Sequence, residues 1–310
     1  MDRDVFQTTK EDETEAPSIE DMLFMNVMDK GVYMDEGNSW VAPLPFRAQR
    51  SRLSDNGTQA FERLMSLQRS FRRKPEMKEQ FISFMKNIFQ NGHAEKAPPL
   101  QPDEEHWYLP CFGVYHPKKP SQIRVVFDSS AQHKGESLNQ VLLTGPDLNN
   151  TLIGVLLRFR KEPIAFTVDI QQMFHCFLVR PEDRNFLRFL WFQDNDPDKE
   201  IVEFRMNVHV FGNSPSPAVA IYCLRRAAEE GKDEYGEDAR QFVVRDFYVD
   251  DGLKSLPTPE AAISLLKRTQ DMLACSNLRL HKLASNSKDV MDAFPCEDRA
   301  TDLKDLDLAS

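Results

Sequence analysis

The sequence predicts an α+β protein, and three observations predict it. Apolar runs of strand length, bounded by turn residues, recur through the middle and second half of the chain. Amphipathic or capped runs of helix length separate them. The second half reads strand–strand–strand–helix–strand–strand–helix–strand, an order that suits an antiparallel sheet with helices on one face. A length of 310 residues allows one large domain or two moderate ones. Apolar and charged fractions of 41% and 28% are those of an ordinary globular chain.

The elements follow in order. Residues 1–36 hold eleven acids and three bases, which predicts weak order at the extreme N-terminus, although IEDMLFMNVMDKG suits a short helix. From about residue 58, Phe61, Leu64, Met65 and Phe71 partly follow helical spacing. Phe81, Phe84, Met85, Ile88 and Phe89 follow it closely until NGH ends the run, and both stripes are expected in a core. Residues 107–109 and 113–116 read as short strands, PKKPS as a turn and IRVVFD as a strand, together a β-hairpin with two lysines at its tip. Residues 149–160 suggest a helix, PIAFTVDI (163–170) a buried strand, and RNFLRFLWF and IVEFRMNVHVF two more strands around the acidic turn QDNDPDKE. In GNSPSPAVAIYCLRRAAEEG, Ser216 can cap a helix, Pro217 suits its first position and Gly231 stops it. QFVVRDFYV and LKSL are expected to form a hairpin around Asp250-Asp251-Gly252. TPEAAISLLKRTQDMLACSN is a helix with Thr258 as cap and Pro259 first, and LRLHKLA follows as a strand or extended segment.

A net charge of −10 excludes a globally basic nucleic-acid surface, but the charge is uneven. Residues 37–135 hold fifteen bases and nine acids, and the last 22 residues are acidic again. A basic middle between acidic ends fits a polyanion-binding body with solvated tails. The five cysteines (111, 176, 223, 275 and 296) are far apart and form no CxxC or Cys/His metal spacing, the pattern of reduced thiols in an intracellular protein. The sequence has no apolar run of the roughly 18 residues that a membrane span needs, and its N-terminus opens with charges rather than a signal peptide. A cytoplasmic or nuclear protein without a membrane partner is expected.

The chemistry-bearing residues are three carboxylates. Asp169 ends the apolar run AFTVD, and Asp250 and Asp251 end YVDD. An acid at the end of a buried strand is costly unless paired, hydrogen-bonded or metal-bound. Several together repel one another, and a divalent cation removes that penalty. Mg²⁺ takes hard oxygen ligands beside phosphate and water, and two such ions suit in-line phosphoryl displacement. Asp-Gly is equally a common hairpin turn. On this stretch alone, turn and metal site stay open together.

Taken in order, the motifs resemble those of reverse transcriptases. YVDD is similar to their catalytic hairpin, FTVDIQQMF to their first catalytic strand, and HPKKPSQIRVVFD to their fingers hairpin. The spacing of 81 residues between Asp169 and Asp250 suits that family's palm. GHAEKAP, WYLPCFGVYHPKKP, SLNQVLLTGPDLNNTLIGVLLRFR and HKLASNS together resemble the BEL/Pao group of LTR retrotransposons, over roughly residues 38–300.

The resemblance implies a reverse-transcriptase-like palm plus fingers, with the thumb missing. Residues 1–37 would be an acidic, partly disordered segment and 38–157 mainly fingers. Residues 158–287 would be mainly palm with a fingers insertion at about 176–205, and 288–310 an acidic tail. It implies an RNA-directed DNA polymerase core that joins dNTPs to a primer 3′-hydroxyl on an RNA or DNA template. Two Mg²⁺ ions are implied, with Mn²⁺ able to substitute. Asp169 and Asp250 would bridge the metals, Asp251 would support them and the Ile170 carbonyl would add an oxygen. Phe174 would lie under the sugar and exclude a ribose 2′-hydroxyl. Lys119 and Arg124 would clasp the triphosphate, with Lys118 as a neighbour that can substitute, because Arg offers bidentate hydrogen bonds and Lys a point charge. Val210-Phe211-Gly212 stands where many family members carry Leu-Pro-Gln-Gly, so the usual glutamine contact is absent. Phe211 and Gly212 would face the nascent base pair, Gly212 allowing close backbone approach. Lys282 falls where a lysine protonates the leaving pyrophosphate, and Asp128 at a structural position after the hairpin.

Without a thumb, duplex phosphate contacts are few and processive synthesis is not expected of this stretch alone. Two further readings stay open. One is a non-catalytic retroelement relic that keeps the palm fold and binds nucleic acid. The other is an unrelated Mg²⁺ phosphotransferase or phosphatase, which leaves the fingers hairpin and Phe174 unexplained.

Overall fold

The computed structural model describes residues 18–116 and 119–300. The chain runs α1 (Ile19–Gly31), β1 (Tyr33–Met34), β2 (Trp40–Ala42), α2 (Gly57–Arg73), α3 (Pro75–Gln90), β3 (Ala94–Lys96), β4 (Cys111–His116) and β5 (Lys119–Phe127). It continues through α4 (Leu138–Val141), α5 (Leu152–Phe159), β6 (Ile164–Ile170), β7 (Leu178–Val179), β8 (Arg188–Phe192) and β9 (Ile201–Met206). Then come α6 (Ser216–Tyr235), α7 (Glu237–Asp246), β10 (Phe247–Tyr248), β11 (Asp251–Leu256), α8 (Pro259–Ala274), β12 (Leu280–Ser285) and α9 (Lys288–Asp292). The fold is mixed α+β with small sheets. The acidic ends 1–17 and 301–310 lie outside the described residues, as does Lys118 at the hairpin tip.

The sheet that matters most is four-stranded and antiparallel, in the order β10-β11-β6-β12. β6 sits inside it because its sequence alternates. Phe166, Val168 and Ile170 are buried on one face, which turns Thr167 and Asp169 to the other. The apolar face packs on Cys223 and Leu224 of α6, Phe242 of α7 and Leu265 and Leu266 of α8, with Phe166 edge-on to Phe242 at 5.5 Å between ring centres. Phe24 and Met28 of α1 join the same core. That helix is started by Ser18, whose hydroxyl accepts from the Asp21 N–H while the Asp21 carboxylate accepts from the Ser18 N–H. A second apolar cluster gathers α2, α3, the β4–β5 hairpin and the β3-β9-β8 sheet around Phe71, Phe81 and Trp191.

Several sequence expectations are corrected. QFVVRD is not strand. Residues 237–246 are α7, because Ala239, Phe242, Val243 and Asp246 fall at helical spacing and are buried together, leaving only Phe247–Tyr248 to pair with β11. Gly231 does not end α6. The helix continues to Tyr235 and ends at Gly236, whose φ is +100°. Gly231 is instead a packing glycine, since a Cβ there would lie 2.4 Å from Met272 Cγ. Ser216 is inside α6, its hydroxyl donating to the Val210 carbonyl at 2.8 Å rather than capping. Phe61 is exposed, while Ala60, Leu64, Leu67 and Phe71 form the buried stripe of α2. Residues 107–109 make only an isolated bridge between Tyr108 and Arg188. Residues 181–187 are a 3₁₀ turn ahead of β8, and the next strand stops at Met206.

Candidate active site

Asp169 and Asp251 are direct cross-strand partners on β6 and β11. The Ile170 N–H donates to the Asp250 carbonyl at 3.0 Å. This makes 169 and 251 a non-hydrogen-bonded pair, the type whose side chains approach most closely. The turn between β10 and β11 is Val249-Asp250, because Tyr248 pairs with Asp251 and Phe247 with Gly252. The turn is therefore shifted back from the expected Asp250-Asp251-Gly252. Val249 carries the left-handed conformation at φ +58°, which for a β-branched residue stores strain of about 1–3 kcal/mol. Gly252 belongs to the strand. Its lack of a side chain admits the Phe247 ring, which a Cβ would meet at 2.7 Å.

β12 flanks β6 on its other side, with His281 opposite Asp169. Between His281 and Ala284 the register shifts, and β12 spends one residue more than β6 over the same length. Lys282 takes up the irregularity at φ +51°. In a regular strand, consecutive residues face opposite ways. A bulge re-aims them, and here both side chains reach one carboxylate. His281 Nε2 lies 2.8 Å from Asp169 Oδ1, and Lys282 Nζ donates to Asp169 Oδ2 at 2.8 Å.

Burial, reinforced by the nearby Asp169 charge, holds the Asp250 carboxyl above the ordinary aspartate range, against the opposing charges of Lys282 and Arg124. Burial, then like charge from Asp250 and Asp169, pushes Asp251 up to about 6, although part of the residue meets solvent. The three acids thus feel one another across two strand ends. The oxygen-donor chemistry suits a hard divalent cation. Even so, no three side chains of metal-binding type are drawn around a common point among the described residues.

The remaining candidates divide. Phe174 sits in the 3₁₀ turn Met173–Cys176 just beyond β6, half-buried, its ring 6.0 Å from that of the exposed Phe211. Arg124, on the exposed side of β5 opposite Val114, is close enough for its charge to act on Asp250. Lys119 pairs with His116 through its backbone, and its side chain lies outside the described residues. Ile170 is buried in the core, its backbone tied to the turn as above. Gly212 has a reason within the protein. Its φ is +124°, and a Cβ would lie 2.3 Å from the Phe127 carbonyl oxygen at the end of β5. Asn139 Nδ2 donates to the Gly212 carbonyl at 3.0 Å while Asn139 Oδ1 accepts from the Ser214 N–H at 2.9 Å, so that side chain staples this loop to the hairpin's base. Asp128 faces Arg63 at 3.6 Å.

The sequence reading missed Asn139 and His281. The signal for His281 in the sequence is its place beside Lys282, between Leu280 and Leu283. The bulge that aims it at Asp169 has no local signature.

All five cysteines are unpaired, and no helix among the described residues is long and apolar enough to cross a membrane. No family model matches the sequence, and neither does any curated protein. Among solved structures, the chain is similar to a foamy viral protease–reverse transcriptase in complex with double-stranded DNA, in two structures. One has a TM-score of 0.49 and 15% identity over 67% of this chain. The other has a TM-score of 0.47 and 15% identity over 66%. The native protease–reverse transcriptase of prototype foamy virus is similar at a TM-score of 0.47 and 16% identity over 66% of this chain. The matched part spans 30%, 36% and 23% of those chains respectively.

Proposed function

We propose that this chain carries the nucleotidyl-transfer centre of an RNA-directed DNA polymerase of the reverse-transcriptase type, akin to the BEL/Pao group. The observation that carries the reading is the direct pairing of Asp169 with Asp251 on adjacent antiparallel strands, with Asp250 in a strained two-residue turn beside them. Mutual repulsion among the three carboxylates is the penalty that bound cations relieve. Asp169, Asp250 and Asp251, with the Ile170 carbonyl, would hold Mg²⁺ or Mn²⁺. When bound, such ions stabilise the attacking and leaving oxygens of an in-line displacement.

The other residues take roles consistent with their places. The Phe174 and Phe211 rings lie 6.0 Å apart just beyond β6. Phe174 would lie under the nucleotide sugar and reject a ribose, and Phe211 would face the nascent base pair. Arg124 is close enough for its charge to act on Asp250, as a triphosphate contact requires, and Lys119 would be its partner in that role. Lys282, whose ammonium contacts Asp169, would donate a proton to the leaving pyrophosphate. Gly212 and Asn139 set the loop that carries Phe211.

The engagement of both Asp169 oxygens by His281 and Lys282 favours a second reading, a palm fold that binds template–primer without catalysis. One assay separates the two. Purified protein is given an RNA template, DNA primer, dNTPs and Mg²⁺ or Mn²⁺, beside an Asp250→Asn control. Primer extension by the wild type, lost in the control, is expected. A folded wild type that binds template–primer without extending it would sink the polymerase reading.

A further inference from the structure

We infer that Lys282 is a resting-state latch on Asp169. Its ammonium occupies the place a divalent cation would take, while His281 stays on the other oxygen as a positioning residue. The inference deepens the polymerase reading and rests on it.

Three observations carry it. First, both oxygens of the carboxylate are engaged, each at 2.8 Å, by consecutive residues that a regular strand would turn to opposite faces. The extra residue in β12 and the left-handed Lys282 backbone are what let both arrive. Second, the two donors differ in freedom. The His281 ring, with a side chain only 17% exposed, is carried on the residue paired with Asp169 across the strands. Lys282 reaches in from solvent with a side chain 59% exposed, on a flexible four-carbon stem. One contact is set by the sheet, and the other can leave. Third, the acids are close enough to interact electrostatically, yet are not gathered around a common point. A single positive charge on the Lys282 side chain already acts on Asp250 and Asp251 as well as on Asp169.

Cation entry is then an exchange. Asp169, Asp250 and Asp251 would hold a dication in place of the ammonium, because two positive charges compensate three carboxylates better than one does. Lys282, still tethered to β12, is left free beside the site. His281 continues to donate Nε2–H to Asp169 and fixes which oxygen faces the ion, the role of an outer partner that orients a ligating carboxylate.

The test measures metal binding without turnover. Free Mn²⁺ is followed by electron paramagnetic resonance during titration of the full chain, for wild type, Lys282→Met, Lys282→Arg and His281→Ala, each checked for folding by circular dichroism. Lys282→Met should bind Mn²⁺ roughly fivefold tighter, the size of an exposed ion pair removed from competition. Lys282→Arg should stay near wild type, and His281→Ala should weaken binding. In parallel, reductive methylation of Lys282 read by mass spectrometry should rise when Mn²⁺ is added to the wild type, and not in Asp250→Asn. Wild-type binding with unchanged or weaker affinity in Lys282→Met overturns the latch and leaves the polymerase reading standing. No Mn²⁺ binding by any variant overturns both.

Discussion

Two aspartates of this molecule have nearly the same partners and opposite surroundings. Asp246, at the end of α7, is clasped by Arg158 Nε at 2.7 Å and by Lys254 Nζ at 2.5 Å, with its side chain 4% exposed. Asp169, at the end of β6, is clasped by His281 and Lys282 at 2.8 Å each, but Lys282 is mostly in solvent. Asp246 lies where α7 meets the sheet, and its partners come from α5 and β11. There the carboxylate is closed off from solvent and held by two cations, the surroundings of a structural charge. Asp169 points away from the face of β6 that packs on α6, α7 and α8, and its Lys282 partner, with a side chain 59% exposed, can be traded for another. Solvent access, and not the identity of the clasping groups, separates a structural ion cluster from a candidate site.

The largest expected effect tests the open site. Asp169→Asn should lower primer extension at least about 10³-fold, ~4 kcal/mol of barrier, while urea denaturation shows a smaller stability loss than for Asp246→Ala, because one of its two partners, Lys282, is mostly in solvent. Asp246→Ala should do the reverse in kind. It removes the shared partner of two cations and should cost about 3 kcal/mol of stability, read from the shift of the denaturation midpoint at constant slope. Equal stability losses in the two variants would mean that solvent access does not separate the two aspartates.

A smaller effect concerns the strained turn. Val249→Gly should stabilise the protein by about 1 kcal/mol, because glycine adopts a positive φ without a steric penalty. The same change should slow extension, since the turn that holds Asp250 becomes less constrained. The smallest effect is a pH dependence. Asp251 titrates near 3.8 when unperturbed and at about 6 in the folded protein. The folded state therefore holds this proton more tightly than the unfolded chain, and its contribution to stability falls as pH rises from about 4 to 6. Metal-free protein unfolded by urea across that window should show this slope, and Asp251→Asn should remove it. Millimolar Mg²⁺ should offset the loss above pH 6.

Much of the local structure was legible because local chemistry dictates it. Thr258 caps α8 by accepting from the Ala261 N–H at 3.3 Å, with Pro259 in the first turn, as its sequence implies. The alternation in IAFTVDI puts Phe166, Val168 and Ile170 inward and Asp169 outward without reference to any other element. What misled was chemistry with two local solutions. FVV is strand-like by composition, yet Phe242 and Val243 are buried as one face of a helix. Asp-Gly is turn-like, yet the close Phe247 ring claims Gly252 for a strand and moves the turn to Val249-Asp250.

By itself, the sequence determined the α+β class, the strand end that carries Asp169, and a second acidic pair, Asp250-Asp251, at a hairpin turn. These follow from side-chain alternation and from the cost of burying charge, which act over a few residues. Only the tertiary structure decided that Asp169 and Asp251 stand opposite one another, that Gly212 is required by a carbonyl of β5, and that His281 and Lys282 both reach Asp169. Each of those depends on strand register, and a shift of one residue turns every side chain to the other face. Register is set by the packing of all the strands and helices together, so no short stretch of the chain contains it.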